Sequence, residues 1–210
     1  MPPLPALLAE LRDIRIDDAN AHELHAATTT LMMMRNVVDH LLAVHAAAMD
    51  RLGVAGPGGK TRALLIAMGA APAAASRWLQ IGAALPRLQR LPGYSEDGAF
   101  PSGHVSAIVS GLAHIEKRAA EATSDDQRLN HERALIAQAS SGATPREITL
   151  TARGRANEVV DQRGGIPAAE DRTINTLSLT QTSDGRTEIR GDVDVVTAEK
   201  LHSAIESLSE

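Results

Sequence analysis

The sequence predicts a mainly α-helical fold, a multi-helix domain that closes with a small β-hairpin and one further helix. Three observations predict it. Apolar residues recur at spacings of three, four and seven along the first part of the chain. Aromatics are nearly absent, with Trp78, Tyr94 and Phe100 the only three, so the core must be built from Leu, Ile, Val, Ala and Met. After Arg172 the pattern changes to period two on either side of a turn signal, Asp184-Gly185.

The elements follow in order. Residues 17–52 read as one long helix or two joined helices. Leu24, Leu31, Met34, Val38, Leu41, Leu42, His45 and Met49 form its stripe, and Asp17 and Asp18 suit a first turn. Of the consecutive Met32, Met33 and Met34, two are expected in the core and one outside. "GVAGPGG", residues 53–59, is a loop. "KTRALLIAMGA" and "PAAASRWLQIGAAL" are two helices around a tight turn at Gly69. "PRLQRLPGYSEDGAFPSG" reads as loop, interrupted by Pro86, Pro92 and Pro101.

"HVSAIVSGLAHIEKRAAEA" is a helix with Val105, Ile108, Leu112 and Ile115 on one stripe. The next helix is capped by Ser124 and ended by Gly142. Another starts with Thr144 as cap and Pro145 at its first position. The hairpin places Leu177 and Leu179 on one face, with Ile189 and Val193 joining them. An isolated hairpin is marginal in water. It is therefore expected to bury this face against a final helix capped by Thr197, whose stripe is Val196, Leu201, Ile205 and Leu208. The organisation predicted is a helical domain, residues 1–163, with the hairpin and last helix, 164–210, packed on it, either as a unit of its own or as part of one continuous domain.

Composition excludes several function classes. The 210 residues are 43 % apolar and 22 % charged, as in ordinary globular chains. There is no cysteine, which removes disulfides, Cys-ligated zinc and a thiol nucleophile. The N-terminus lacks the basic start and long apolar core of a signal peptide. No apolar run of about 18 residues exists to span a membrane. A cytoplasmic location is expected.

Net charge is −5, but it is unevenly spread. From Arg51 to Ser95 there is no Asp or Glu. That segment carries Arg51, Lys60, Arg62, Arg77, Arg87 and Arg90, or +6, leaving −11 on the rest. Such an island can bind a polyanion locally. It also contains the helix–turn–helix pattern "TRALLIAMGAAPAAASRWLQIGAA". Gly69 stands where the turn needs positive φ, and Ser76, Arg77 and Gln80 are able to hydrogen-bond bases. Leu65 occupies a position where a small Ala is usual, and the second helix opens with Ala73, Ala74 and Ala75. DNA contact is accordingly expected through Lys60, Arg62, Arg77, Arg87 and Arg90.

Other motifs carry less. "PSGH", residues 101–104, is shared with acid phosphatases that resemble phosphatidic acid phosphatase type 2. Their further Lys, Arg, His and Asp residues have no counterparts at the required spacing here. Ser102 is then a helix cap, with Gly103 and His104 in the first turn. "GPGGKT", residues 56–61, misses the phosphate-loop spacing, with Val54 where the first Gly belongs. His22 with His25, and His40 with His45, lie on one helix without a His-Glu-x-x-His string. No metal or cofactor is expected. No nucleophile elbow is present, and Asp125 and Asp126 suit a helix start.

The order of segments resembles a known family. "GGKTRALLIAMGAAPAAASRWLQIGAALPRL" is similar to its Gly-opened helix followed by an Ala/Leu helix ending at Leu-Pro. "DGAFPSGHVSAIVSGLAHI" is similar to its next loop and helix. "TPREITLTARG" and "AAEDRTINTLSLTQTSDGRTEIRGDVDVVTAEKLHSAIESLS" are similar to its closing helix, hairpin and last helix. Together they resemble domain of unknown function 222, the N-terminal domain of actinobacterial HNH-endonuclease-like proteins of the mycobacterial repeat family, over roughly residues 20–210. The resemblance implies a nuclease domain beyond Glu210, with a metal-binding ββα unit that residues 1–210 lack.

The expectation is therefore a non-catalytic accessory domain of an HNH-nuclease-type protein. It would bind DNA through residues 51–95, or a partner such as a downstream nuclease domain or a second copy of the chain. The alternatives are a self-association module built on the Met-rich helix and, third, a phosphate hydrolase using His104.

Overall fold

A computed structural model of the chain describes residues 4–14, 19–119, 121–163, 165–182 and 184–209. Among them the fold is mainly helical, with one two-stranded antiparallel sheet and a closing helix, as the patterning predicts. The chain divides into two units, Met1–Ser106 and Ala107–Glu210. The expected boundary at 163/164 falls inside the second.

The first unit is organised by a 31-residue helix, α2 (Ala21–Arg51). A short helix, α1 (Leu4–Arg12), precedes it. Asn20 starts α2 through a reciprocal cap: its Oδ1 accepts from His22 N and Glu23 N, and its own N–H donates to Glu23 Oε2. Asp17 and Asp18, expected in the first turn, lie outside the described residues. Next come α3 (Thr61–Ala67), a turn at Gly69 with φ of 100°, and α4 (Pro72–Ala84). A single 3₁₀ turn, Leu85–Arg87, leads to α5 (Leu91–Glu96). α6 (Ser102–Arg118) begins in this unit and continues into the second.

Three expectations are corrected here. The loop read between Pro86 and Gly103 contains α5, because Pro92 sits in a first turn, where its missing N–H costs nothing. Of the expected α2 stripe, Leu24, Leu31, Val38, Leu41 and His45 are exposed and Met34, Leu42 and Met49 half-buried, while the buried residues are Ala43 and Ala46. Two small side chains let α4 approach: a Cβ built on Gly82 would lie 2.8 Å from Ala47 Cβ and still nearer the Ala43 carbonyl. Of the Met triplet, Met32 and Met33 are exposed and Met34 is half-buried. Around the α2–α4 crossing, Ala46, Leu65 and Ala75 form a core with Met49, Ile66 and Trp78.

The second unit contains the rest of α6, α7 (Asp125–Ser140), α8 (Pro145–Arg163), a 3₁₀ turn (Arg172–Ile174), strands β1 (Thr176–Gln181) and β2 (Thr187–Asp192), and α9 (Val195–Ser209). Both expected caps form: Ser124 with Gln127, and Thr144 with Glu147, each pair bonding reciprocally. Ile108, Leu112, Ile115, Leu135, Ile148 and Val160 are buried. Gly111 is close to α8, since a Cβ there would meet Ala152 Cβ at 2.7 Å.

In the hairpin Leu179 pairs with Ile189 and Leu177 with Gly191. Gly185 has φ of 83° in the connecting turn. The expected burial of this face against the last helix is not found. Every strand residue is exposed, and so are Val196, Leu201 and Ile205 of α9. Leu208 lies outside the residues whose side chains are described. The reason is visible at the base of the hairpin, where polar groups make the attachment.

Asp194, not Thr197, caps α9. Its Oδ1 accepts from Val196 N and Thr197 N, and its Oδ2 accepts from Asn175 Nδ2 and Thr197 Oγ1. These donors hold the Asp194 carboxyl at a pKa of about 2, Asn175 having the largest effect and Thr197 the next. A folded-state pKa below the unfolded one adds stability that is complete above the unfolded value and is lost as pH falls towards 2. The α9 attachment should therefore loosen below about pH 4. Hydrogen exchange of α9 amides at descending pH checks this. Asp194→Asn should remove that pH dependence.

Candidate nucleic-acid interface

The acid-free segment folds as helix, turn and helix. Thr61, the first residue of α3, is buried, and its hydroxyl donates to Asp50 at 2.7 Å. Trp78 Nε1 donates to Asp39 at 2.9 Å. Two of the α2 carboxylates thus accept hydrogen bonds from the basic segment itself. Leu65, too large for the usual Ala position, fills the core between α2 and α4.

The buried side of α4 is Ala75, Ile81, Gly82 and Ala84. Its exposed residues Ala73, Ser76, Gln80 and Ala83 recur at three and four, so they form one face, and exposed Arg87 follows in the 3₁₀ turn. Arg62 of α3 joins this face at its start, donating from Nε to Ser76 Oγ at 2.7 Å. Gln80 Oε1 accepts from Ser106 Oγ at 3.1 Å. The result is a strip lined by Ala73 and Ala83 with amide and hydroxyl groups along it, a guanidinium held at one end and another in the turn beyond the other end.

The five predicted basic residues are not equivalent. Arg62 and Arg87 flank the strip. Lys60 is exposed and stands at the cap position of α3, and Arg90 at that of α5. Arg77 departs from expectation. It is half-buried, and its Nη1 lies 3.4 Å from Ser102 Oγ, at the start of α6. Spacing could not reveal this, since Ser102 is 25 residues away. Ser102 itself is the first residue of α6 rather than its cap, and Pro101 O accepts from Val105 N.

Among the described residues, His40, His45 and His104 lie apart from one another. His104 Nδ1 is closed off from solvent and has no hydrogen-bond partner, unlike a phosphate-holding imidazole. His40 Nδ1 and Ser95 Oγ are 2.9 Å apart, and burial lowers the His40 pKa against an opposing effect of Glu96. His45 Nδ1 is 2.7 Å from the Leu41 carbonyl. Among the described residues no group of three or more His, Cys, Asp or Glu is placed to hold a metal ion. None of their helices is long and apolar enough to cross a membrane.

The second unit has a cavity of about 310 Å³ lined by His114, Arg153, Asn157, Asn175, Asp192 and Asp194, among others. Arg153 and Asp192 form an ion pair at 2.6 Å, and Asp194 is committed to capping. Burial lowers the His114 pKa, assisted by Arg153, Arg118 and Lys117 and opposed by Asp192. This arrangement is held together by its own charges and hydrogen bonds.

No family model, curated protein or solved structure compared with the chain matches it.

Proposed function

We propose that the chain is a non-catalytic DNA-binding domain that meets duplex DNA through α3, the Gly69 turn and α4. The observation that carries this is the acid-free segment folded as helix–turn–helix, with Arg62 and Arg87 at the two ends of an exposed strip. Lys60, Arg62, Arg87 and Arg90 would contact phosphates. Small Ala side chains would allow close approach, and Gln80 has the amide geometry that suits adenine. With little else to read bases, selectivity should be weak and affinity mainly electrostatic. In the family that the sequence resembles, such a domain would accompany a nuclease.

Fluorescence anisotropy of a labelled duplex over a salt series tests this. Four phosphate contacts give a slope of log K against log salt of about −3.6. Arg62→Ala and Arg87→Ala should each reduce the magnitude of the slope by about 1. A salt-independent affinity, or no change in the double variant, would remove the proposal.

A second reading, docking of a partner on the hairpin, is favoured by the exposed Leu177, Leu179 and Ile189 on one strand-paired face. Such a partner would protect strand amides from hydrogen exchange. DNA bound at α4 would leave them unchanged.

A further inference from the structure

α2 carries two apolar faces, and the fold uses only one. The buried face is Ala43 and Ala46, against α4. At about 100° per residue, Val38 lies about 140° around the helix from Ala43. The outward face is more regular than the buried one. Leu24, Leu31 and Val38 stand on a seven-residue frame that continues through the exposed His45 to Leu52, the residue capping α2, with Met34 and Leu41 three residues after Leu31 and Val38. Leu31, Val38 and Leu41 keep 46 %, 52 % and 45 % of their surface exposed, and Leu52 keeps 74 %. A seven-residue repeat with apolar positions three apart is the seam of a two-helix coiled coil. A stripe of this length on one 31-residue helix fits another long helix carrying the same repeat.

Charge selects the occupant. The positions beside the seam include Glu23 near one end of α2 and Arg51 at the other. In an antiparallel pair of identical helices, Leu31 faces Leu41 of the second copy, Val38 faces Met34 and Leu24 faces Ala48. That register sets Glu23 of each copy beside Arg51 of the other, making two symmetric ion pairs. It also sets Arg35 near Arg35 of the second copy, a repulsion at the centre. We infer that the outward face of α2 is the interface of a two-fold dimer, in which α2 packs antiparallel to α2 of a second copy of this chain. The inference is independent of DNA binding, because α3 and α4 contribute nothing to the seam.

The absence of native cysteine makes the register directly measurable. The full chain with Leu31→Cys and Leu41→Cys together should form a disulfide-linked dimer on mild oxidation. Each single variant should not, because neither residue faces itself. The two positions lie ten residues, about 15 Å, apart along one helix, too far to bridge within a copy. Sedimentation of the unmodified chain should give twice 22.1 kDa, with dissociation on dilution. Leu41→Glu should weaken the dimer by about 30-fold or more, the scale of a lost interface anchor. Its circular dichroism should not change, because Leu41 is already exposed in the single copy. Arg35→Ala should tighten the dimer, and Arg51→Glu should weaken it most at low salt.

A monomer at every concentration would overturn the inference. So would efficient cross-linking of either single cysteine variant, which means parallel helices. Capture of Leu7→Cys by Leu31→Cys within one chain would assign the face to α1 instead and would equally overturn it.

Discussion

Gly82→Ala should destabilise the protein by about 3 kcal/mol, the upper end of the cost of overpacking. The sign is the informative part. In an exposed helix interior the same change stabilises by about 1 kcal/mol, because Gly has the poorer helix propensity. Here the added methyl would fall on the Ala43 carbonyl and 2.8 Å from Ala47 Cβ. Both obstacles belong to the body of a long helix and cannot swing aside as a flexible side chain would. α4 must then move away from α2, which opens the core around Ala46, Leu65 and Ala75. Urea denaturation monitored by Trp78 fluorescence reads the change, since Trp78 packs on this core. A neutral or stabilising Gly82→Ala would show that α2 and α4 do not cross as closely as described.

Asp171→Ala should cost a similar amount, about 3 kcal/mol, by a different route. Arg118 ends α6 with its side chain only 1 % exposed. It pairs with Asp171, and its Nη2 donates to the Ile166 carbonyl at 2.8 Å. Asp171 also accepts from the backbone and hydroxyl of Thr173, which together with Arg118 lower its pKa against the opposing effect of burial. The adjacent Lys117 donates to the Thr173 carbonyl. The end of α6 therefore fastens the segment that leads into the hairpin. Removing Asp171 leaves a buried guanidinium without its counter-charge, and the Arg118 Nε already has no partner. The double change Arg118→Met with Asp171→Leu should recover much of the loss, because an apolar pair incurs no ionic desolvation. If Asp171→Ala alone is neutral, Arg118 is not enclosed as described.

Features that depend on near neighbours in sequence were legible without coordinates. Ser124 and Thr144 were read as caps, though not their partners Gln127 and Glu147, and Asp184-Gly185 marks its own turn. The α6 stripe of Val105, Ile108, Leu112 and Ile115 was legible because branched apolar side chains at helical spacing are buried there. The α2 face was misread for the opposite reason. Its buried residues are Ala43 and Ala46, which carry little hydrophobic signal, while the strong heptad signal lies on the exposed side. Pro92 concealed α5, because a proline in a first turn looks like a loop. At the candidate interface the charge pattern and turn were readable from Arg51 to Ser95. The turning of Arg77 towards Ser102 and the anchoring of Arg62 on Ser76 were not, because both depend on the packing of separate helices.

α3 and α4 are the surface proposed to contact DNA. Backbone amide chemical shifts measured while a short duplex is added test it most directly. Shifts are expected to concentrate at residues 60–90, largest near Arg62, Ser76, Gln80 and Arg87, with the hairpin and α9 unchanged. Shifts centred on the hairpin, or no shifts at low salt, would contradict it.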